Sequence, residues 1–177
     1  MRQPGRVALG THRNMPEDAP KATIRGDMAG EHMTQAEERK PGAGVLFGQE
    51  HVRRYLETGG EEGHDWQGTT VLILTTTGRK TGRKHSTPLI YQPYGDAYLV
   101  VASKGGSDTP PDWYLNLVAN PQVEVQIKRD RFRARARTAT PEEKPDMWRV
   151  MTRAWPAYDE YQRKTSREIP VVVLERI

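Results

Sequence analysis

Apolar and polar positions change their period several times along this chain, and each change marks an element. Between Val45 and Thr58 the residues Leu46, Phe47, Val52, Tyr55 and Leu56 recur at loose helical spacing, which predicts a helix ended by Gly59 and Gly60. Thr70 to Thr76 is a β-branched apolar run and reads as a buried strand. A basic turn follows, Gly78-Arg79-Lys80-Thr81-Gly82-Arg83-Lys84. The chain then runs extended from His85 to Tyr94, turns at Gly95-Asp96, and forms a further strand from Ala97 to Ser103. A second glycine loop, Ser103-Lys104-Gly105-Gly106-Ser107, comes next.

Pro110-Pro111 and Asn120-Pro121 bracket a short helix from Trp113 to Ala119. Val123, Val125 and Ile127 alternate with polar residues, and Phe132, Ala134 and Ala136 alternate with Arg131, Arg133, Arg135 and Arg137. A two-residue turn at Arg129-Asp130 would pair these strands and set Glu124 opposite Arg135. Thr140-Pro141-Glu142-Glu143 has the form of a capping box, and Met147, Val150, Met151 and Ala154 then give a helix one apolar face. Pro156 breaks that helix, a second short one carries Tyr158 and Tyr161, and Ile169 to Leu174 is a final strand. The sum is an α+β fold: a small barrel of mainly antiparallel strands with flanking helices.

Residues 1 to 44 differ from the rest. They hold no Phe, Tyr or Trp and are dense in Gly, Pro and charge, so they are expected to form a disordered tail before a domain over 45–177. Met33 offers an alternative start for a shorter chain. There are no cysteines, which excludes disulfides, thiolate metal sites and cysteine nucleophiles. No apolar run approaches the roughly 20 residues of a bilayer span, and the first residues lack a signal-peptide core. A cytoplasmic protein is expected. The helix over 45–58 either caps the domain or rests on a membrane surface. With 27 basic and 23 acidic residues the net charge is only +4. That balance suits a site for one anionic ligand better than a nucleic-acid surface.

The two glycine loops are the first candidates for chemistry. Each follows a strand and carries cations and hydroxyls: Arg79, Lys80, Thr81, Arg83 and Lys84 in one, Ser103, Lys104 and Ser107 in the other. Glycines let a backbone approach a ligand, and the cations suit phosphate or carboxylate. The alternative is a pair of basic hairpin connections, since neither loop matches a nucleotide-binding fingerprint. The aromatic residues Trp113, Tyr114, Trp148, Trp155, Tyr158 and Tyr161 are the second candidate. Trp113 and Trp148 read best as core anchors, whereas Tyr158 and Tyr161, three apart, could wall a polar acceptor. The five histidines show no metal-ligand spacing and no G-x-S-x-G elbow occurs, so no metal site is expected.

Several of these segments are familiar together. Leu74-Thr75-Thr76-Thr77-Gly78-Arg79-Lys80-Thr81-Gly82, then Thr87-Pro88-Leu89, Val101-Ala102-Ser103-Lys104-Gly105-Gly106, Trp113-Tyr114-Leu115-Asn116-Leu117, Asn120-Pro121 and Ile169-Pro170-Val171-Val172-Val173 resemble the deazaflavin-dependent nitroreductase family. The resemblance covers roughly residues 45–177. It implies a split β-barrel like that of flavin-nucleotide-binding proteins, and coenzyme F420, a deazaflavin with a phosphate and an oligoglutamate tail. By resemblance the cofactor is met by Lys80, His85, Thr87, Pro88, Leu89, Ala102, Ser103, Lys104, Gly105, Gly106, Trp113, Tyr114 and Asn116. The acceptor is met by Ile90, Trp155, Tyr158 and Tyr161, with Ser103, Tyr158 and Tyr161 as the catalytic hydrogen-bonding groups. The resemblance implies hydride transfer from reduced coenzyme to a quinone, a nitroaromatic or an activated enone or lactone. A non-catalytic deazaflavin carrier and a barrel for flavin mononucleotide are the competing readings, and related barrels suggest a homodimer. Ile90 and Trp155 stand where family members often carry Tyr, and His85 and Thr87 where Arg and Asn are frequent. These departures bear on the acceptor more than on the cofactor.

Overall fold

A computed structural model describes residues 44–177. The tail expected over 1–44, and with it Met33, lies outside these residues but for Gly44. Helix α1 (Gly48–Thr58) leads into a short strand β1 (Asp65–Trp66), then β2 (Thr69–Thr77), β3 (Lys84–Ile90), β4 (Gln92–Tyr94) and β5 (Ala97–Val101). A 3₁₀ turn (Lys104–Gly106) precedes α2 (Asp112–Ala119), β6 (Gln122–Ile127), β7 (Asp130–Thr138), α3 (Lys144–Ala154), α4 (Ala157–Arg163) and β8 (Val171–Arg176). All strand pairs are antiparallel, in the order β1-β2-β6-β7-β8-β5-β4, with β3 on the second edge of β2.

The central strands bury both faces, which is why β2 and β8 read as continuous apolar runs instead of alternating ones. Leu72, Leu74, Leu89, Val100, Val172 and Leu174 form one cluster with Trp113 and Leu117 of α2. Val71, Ile73, Leu99, Val101, Val171 and Val173 form the other, covered by Val52 and Tyr55 of α1, Met147 and Met151 of α3, and Tyr158 and Tyr161 of α4. β6 keeps a clear alternation over most of its length, because Gln122 and Glu124 face solvent there. The Thr140 capping box forms as expected: Thr140 N–H donates to Glu143 Oε2 (3.0 Å) and Glu143 N–H to Thr140 Oγ1 (3.3 Å). Arg137 also grips Glu143 (2.7 Å) and holds its carboxyl down at about 2.

Three expectations need correction. The β6–β7 turn sits at Lys128-Arg129, since Ile127 pairs with Asp130. Glu124 therefore lies opposite Arg133, and Arg135 opposite Gln122. Lys128 adopts φ 52° and donates its N–H to Tyr55 Oη (2.8 Å), so α1 fixes the turn that local sequence left open. A slip of two residues preserves which side chains face inward; the ion-pair partner of Glu124 is instead Lys84 (2.6 Å). The extended stretch 85–94 is two strands, because the chain leaves β2 at Tyr91 to pair with β5. Trp148 is only partly buried, its indole N–H donating to Asp159 (2.8 Å), whereas Trp113 is the anchor expected at 1 % exposure. The β1–β2 hairpin was not anticipated. It turns on Gln67 (φ 45°) and Gly68 (φ 79°), the left-handed pair that two-residue hairpins favour.

Candidate functional site at the split between β3 and β5

β3 hydrogen-bonds β2 alone, while β4 joins β5 at Ala97–Leu99. Beyond Leu99, β5 keeps only β8 as a neighbour. The sheet is therefore split between the start of β3 and the end of β5, and both glycine loops sit at this split.

The first loop is closed by its own backbone: Gly78 N–H donates to Arg83 O (2.6 Å) and Gly82 N–H to Gly78 O (2.9 Å). Asn116 of α2 anchors it. Its Oδ1 accepts from Arg79 N–H (3.2 Å) and Nη1 (2.8 Å), and its Nδ2 donates to Thr76 Oγ1 (3.3 Å). Arg79 also pairs with Asp112 (3.1 Å). Asn116 is buried and Arg79 is engaged, so these two shape the loop, while Lys80, Arg83 and His85 stand exposed around it. His85 Nε2 comes so close to Gly78 that a methyl there would lie 3.0 Å away.

The second loop places three successive residues in the left-handed region: Lys104 (φ 44°), Gly105 (φ 62°) and Gly106 (φ 85°). Runs of this kind make concavities of backbone N–H groups suited to anions. The two glycines face different surroundings. A Cβ on Gly105 would meet no atom within 4 Å, whereas one on Gly106 would lie 2.6 Å from the Tyr161 carbonyl oxygen. The loop thus has an open side and a side packed on α4. The open side at Gly105, with Lys104 beside it and Lys80 and the His85 imidazole on the first loop, suits a ligand carrying phosphate and carboxylates.

Adjacent residues of β3 point to opposite clusters. Leu89 joins Trp113 and Ala102 on the inner side, and Ile90 joins Tyr158 and Tyr161 on the outer side. Thr87 and Pro88 precede them on the same strand. Ser103, Tyr158 and Tyr161 are 1 %, 3 % and 5 % exposed, so the expected hydrogen-bonding groups are buried. The two tyrosine rings meet edge to face at 6.1 Å, and half-buried Trp155 directs its indole N–H at Tyr161 Oη (3.5 Å). Tyr114 hydrogen-bonds Thr138 (2.9 Å), and the indole N–H of Trp113 is buried without a partner. The aromatic group of the sequence thus divides: Trp113 and Tyr114 lie on the inner side, Trp148, Trp155, Tyr158 and Tyr161 on the outer.

Two residues at the site gave no signal in the sequence. Arg167 hydrogen-bonds carbonyls of the second loop, yet it sits in an irregular polar stretch. Trp66, 6 % exposed, packs on Trp155 at 5.7 Å and donates to Leu46 O (2.9 Å), which ties the segment before α1 to the outer wall; the Gln67-Gly68 dipeptide was the cue that could have revealed its hairpin. At the other end of β2, a cleft of about 470 Å³ is lined by Gly60, His64, Asp65, Lys128 and Arg129 and contains none of the candidates. Buried polar groups lie nearby: His51 Nε2 of α1 meets Gly63 O (2.8 Å), and His64 Nε2 meets Tyr91 Oη (3.0 Å). Burial pulls the His51 imidazole below its usual range and pushes the Tyr55 phenol up to about 12. Among the described residues no cluster of metal-ligating side chains occurs, and no helix is long and apolar enough to cross a membrane.

An F420H2-dependent quinone reductase of Mycobacterium tuberculosis is 44 % identical over 138 residues, which cover 75 % of this chain and 92 % of that one. A solved F420H2-dependent reductase is 42 % identical, with a TM-score of 0.56 over 59 % of this chain and 93 % of its own. A solved domain-swapped dimer is 39 % identical, with a TM-score of 0.59 over 72 % and 96 %. The profile of the F420H2-dependent quinone reductases matches residues 47–176, and the chain belongs to that family.

Proposed function

We propose that the chain reduces a quinone with hydride from F420H2, holding the coenzyme at the split between β3 and β5. The observation that carries this reading is the contact at Gly106: the cation-bearing loop is pressed against the backbone of Tyr161, so a coenzyme cradle and an aromatic wall share one boundary. When bound, the reduced deazaflavin supplies the hydride, and its preference for two-electron transfer comes from the carbon that replaces the flavin nitrogen.

The residues of this chain orient and exclude. Lys80, Lys104 and His85 meet the phosphate and carboxylates. Thr87, Pro88, Leu89, Ala102, Ser103, Gly105 and Gly106 line the cradle, Trp113 and Tyr114 close its inner side, and Asn116 keeps the first loop in shape. Ile90, Trp155, Tyr158 and Tyr161 wall the acceptor and keep water out. The Tyr158, Tyr161 and Ser103 hydroxyls, buried in the free protein, would hydrogen-bond the acceptor oxygen and help deliver its proton once the outer wall parts to admit it. Ile90 and Trp155 make that wall apolar, which favours a flat quinone over a polar nitroheterocycle. Anaerobic mixing of the reduced coenzyme with a quinone, a nitroaromatic and an activated enone tests the choice. Fastest turnover is expected with the quinone. A preference for either other class would reject the acceptor reading, and no turnover with any would favour a carrier.

The domain-swapped neighbour supports assembly as a homodimer, which light scattering at micromolar concentration would check; a monomer would count against it. Val45, Phe47 and Leu56 leave apolar surface along residues 45–58 (43 %, 36 % and 38 % exposed), which supports peripheral contact with a membrane that holds quinone. Co-sedimentation with lipid vesicles, lost on changing Phe47 and Leu56 to Ser, is expected.

A further inference from the structure

The stretch between α4 and β8 has little regular structure, yet it is bound closely to the second glycine loop. Thr165 Oγ1 donates to Asp108 Oδ1 (2.8 Å). Arg167 spreads its guanidinium over three backbone carbonyls: Nε donates to Ser107 O (2.7 Å), Nη1 and Nη2 each to Ala102 O (3.2 Å), and Nη2 also to Ser103 O (2.8 Å). The arginine is itself positioned from α4. Gln162 Nε2 donates to Arg167 O (2.8 Å), and Gln162 Oε1 accepts from Ile169 N–H (2.9 Å). The β5–β8 ladder makes its last contact at Ala102 N–H to Pro170 O (3.0 Å), so Arg167 takes over where strand pairing stops.

We propose that Arg167 is a positioning residue for the coenzyme: it fixes the Ser103–Gly106 turn in its binding shape and locks it to α4, the helix of the acceptor wall. The proposal rests on the assignment of that turn to F420. Of the three left-handed residues only Lys104 holds a conformation sparsely populated for its type, while the two glycines adopt many backbone conformations with ease, so the surroundings must select the shape of this turn. Within the turn, Gly106 N–H to Ser103 O (2.9 Å) and Ser107 N–H to Lys104 O (3.1 Å) are short-range bonds, and the ties from Arg167 reach outward to a second element. The guanidinium also has an electrostatic consequence. A carbonyl oxygen turned to Arg167 is not turned to an anion, so the open side of the turn at Gly105 is left to phosphate and carboxylate. Lysine cannot replace this arrangement, since one ammonium does not span three carbonyls in a planar fork.

The test compares Arg167→Lys and Arg167→Gln with the wild-type protein by three readouts: hydrogen–deuterium exchange of amides 103–107 without coenzyme, the Kd for oxidised F420 by fluorescence, and the thermal midpoint. In Arg167→Lys, faster exchange confined to the loop is expected, with coenzyme binding weakened about tenfold or more and the midpoint little moved. Unchanged exchange and Kd would overturn the proposal. Faster exchange with unchanged Kd would also overturn it, leaving Arg167 a purely structural tie. If Arg167→Gln does not fold, Arg167→Lys decides alone, because it keeps the charge and the stem. A wild-type protein that binds no F420 would sink the cofactor assignment and this proposal with it. The exchange data would still show whether Arg167 holds the turn, so the two failures remain distinguishable.

Discussion

Gly105 and Gly106 are neighbours with opposite surroundings, and they separate binding from folding at the scale of single residues. A methyl on Gly106 would lie 2.6 Å from Tyr161 O and 3.0 Å from its Cα, at φ 85°. Gly106→Ala should therefore destabilise the protein by about 1–3 kcal/mol as well as weaken coenzyme binding. A methyl on Gly105 meets nothing, so Gly105→Ala adds only the left-handed strain of about 1 kcal/mol while filling the cradle. It should weaken F420 binding with a smaller loss of thermal stability. Equal stability losses in the two variants would contradict the packing described. Lys80→Ala and Lys104→Ala should each weaken F420 about tenfold in titrations at low salt, with a smaller difference at high salt because exposed charges are screened. The left-handed backbone of the second loop was legible in the sequence, since glycine-rich segments advertise it. Arg167 was not, because a side chain bonding carbonyls 60 to 65 positions away leaves no local pattern.

At the scale of elements, α1 is attached by buried polar groups as much as by apolar packing. His51 is 2 % exposed and its imidazole is pulled down by burial from a usual value of 6.5. The unfolded chain thus takes up a proton more readily than the folded one. The contribution of His51 to stability is full above about pH 6.5 and declines as pH falls below it toward the lowered folded value. Melting curves should show the midpoint dropping over this acidic window, and His51→Gln should flatten that dependence; an unchanged slope would exclude His51 as its source. Tyr55 gives the opposite case. Burial raises its phenol from 10 to about 12, so its contribution persists below about pH 10 and is lost as pH rises through the folded value. The elements themselves were largely readable from periodicity. The β6–β7 register was not, because Lys128 is held in its left-handed turn by Tyr55 of a distant helix. The split of residues 85–94 into two strands was equally hidden, since Tyr91 marks a change of partner that alternation cannot express.

For the whole molecule, the main consequence of the fold is a sheet that is buried on both faces and open along one seam. β3 has one strand partner, and the two glycine loops flank the place where a second would lie. The sequence identified the barrel class and most of its strands, though not β1 or the break between β3 and β4. The division into an inner face with Leu89 and Trp113 and an outer face with Ile90 and Tyr158 required the three-dimensional curl. On the proposed function, that division would let one strand serve a coenzyme and an acceptor through neighbouring side chains. The account stands on the identity of the coenzyme, so the deciding measurement is a fluorescence titration of the purified protein with oxidised F420, with flavin mononucleotide as the competitor. Saturable F420 binding, unaffected by the flavin and lost when Lys80 and Lys104 are both changed to Ala, is the predicted result. Preference for the flavin, or no saturable binding of F420, would contradict the account.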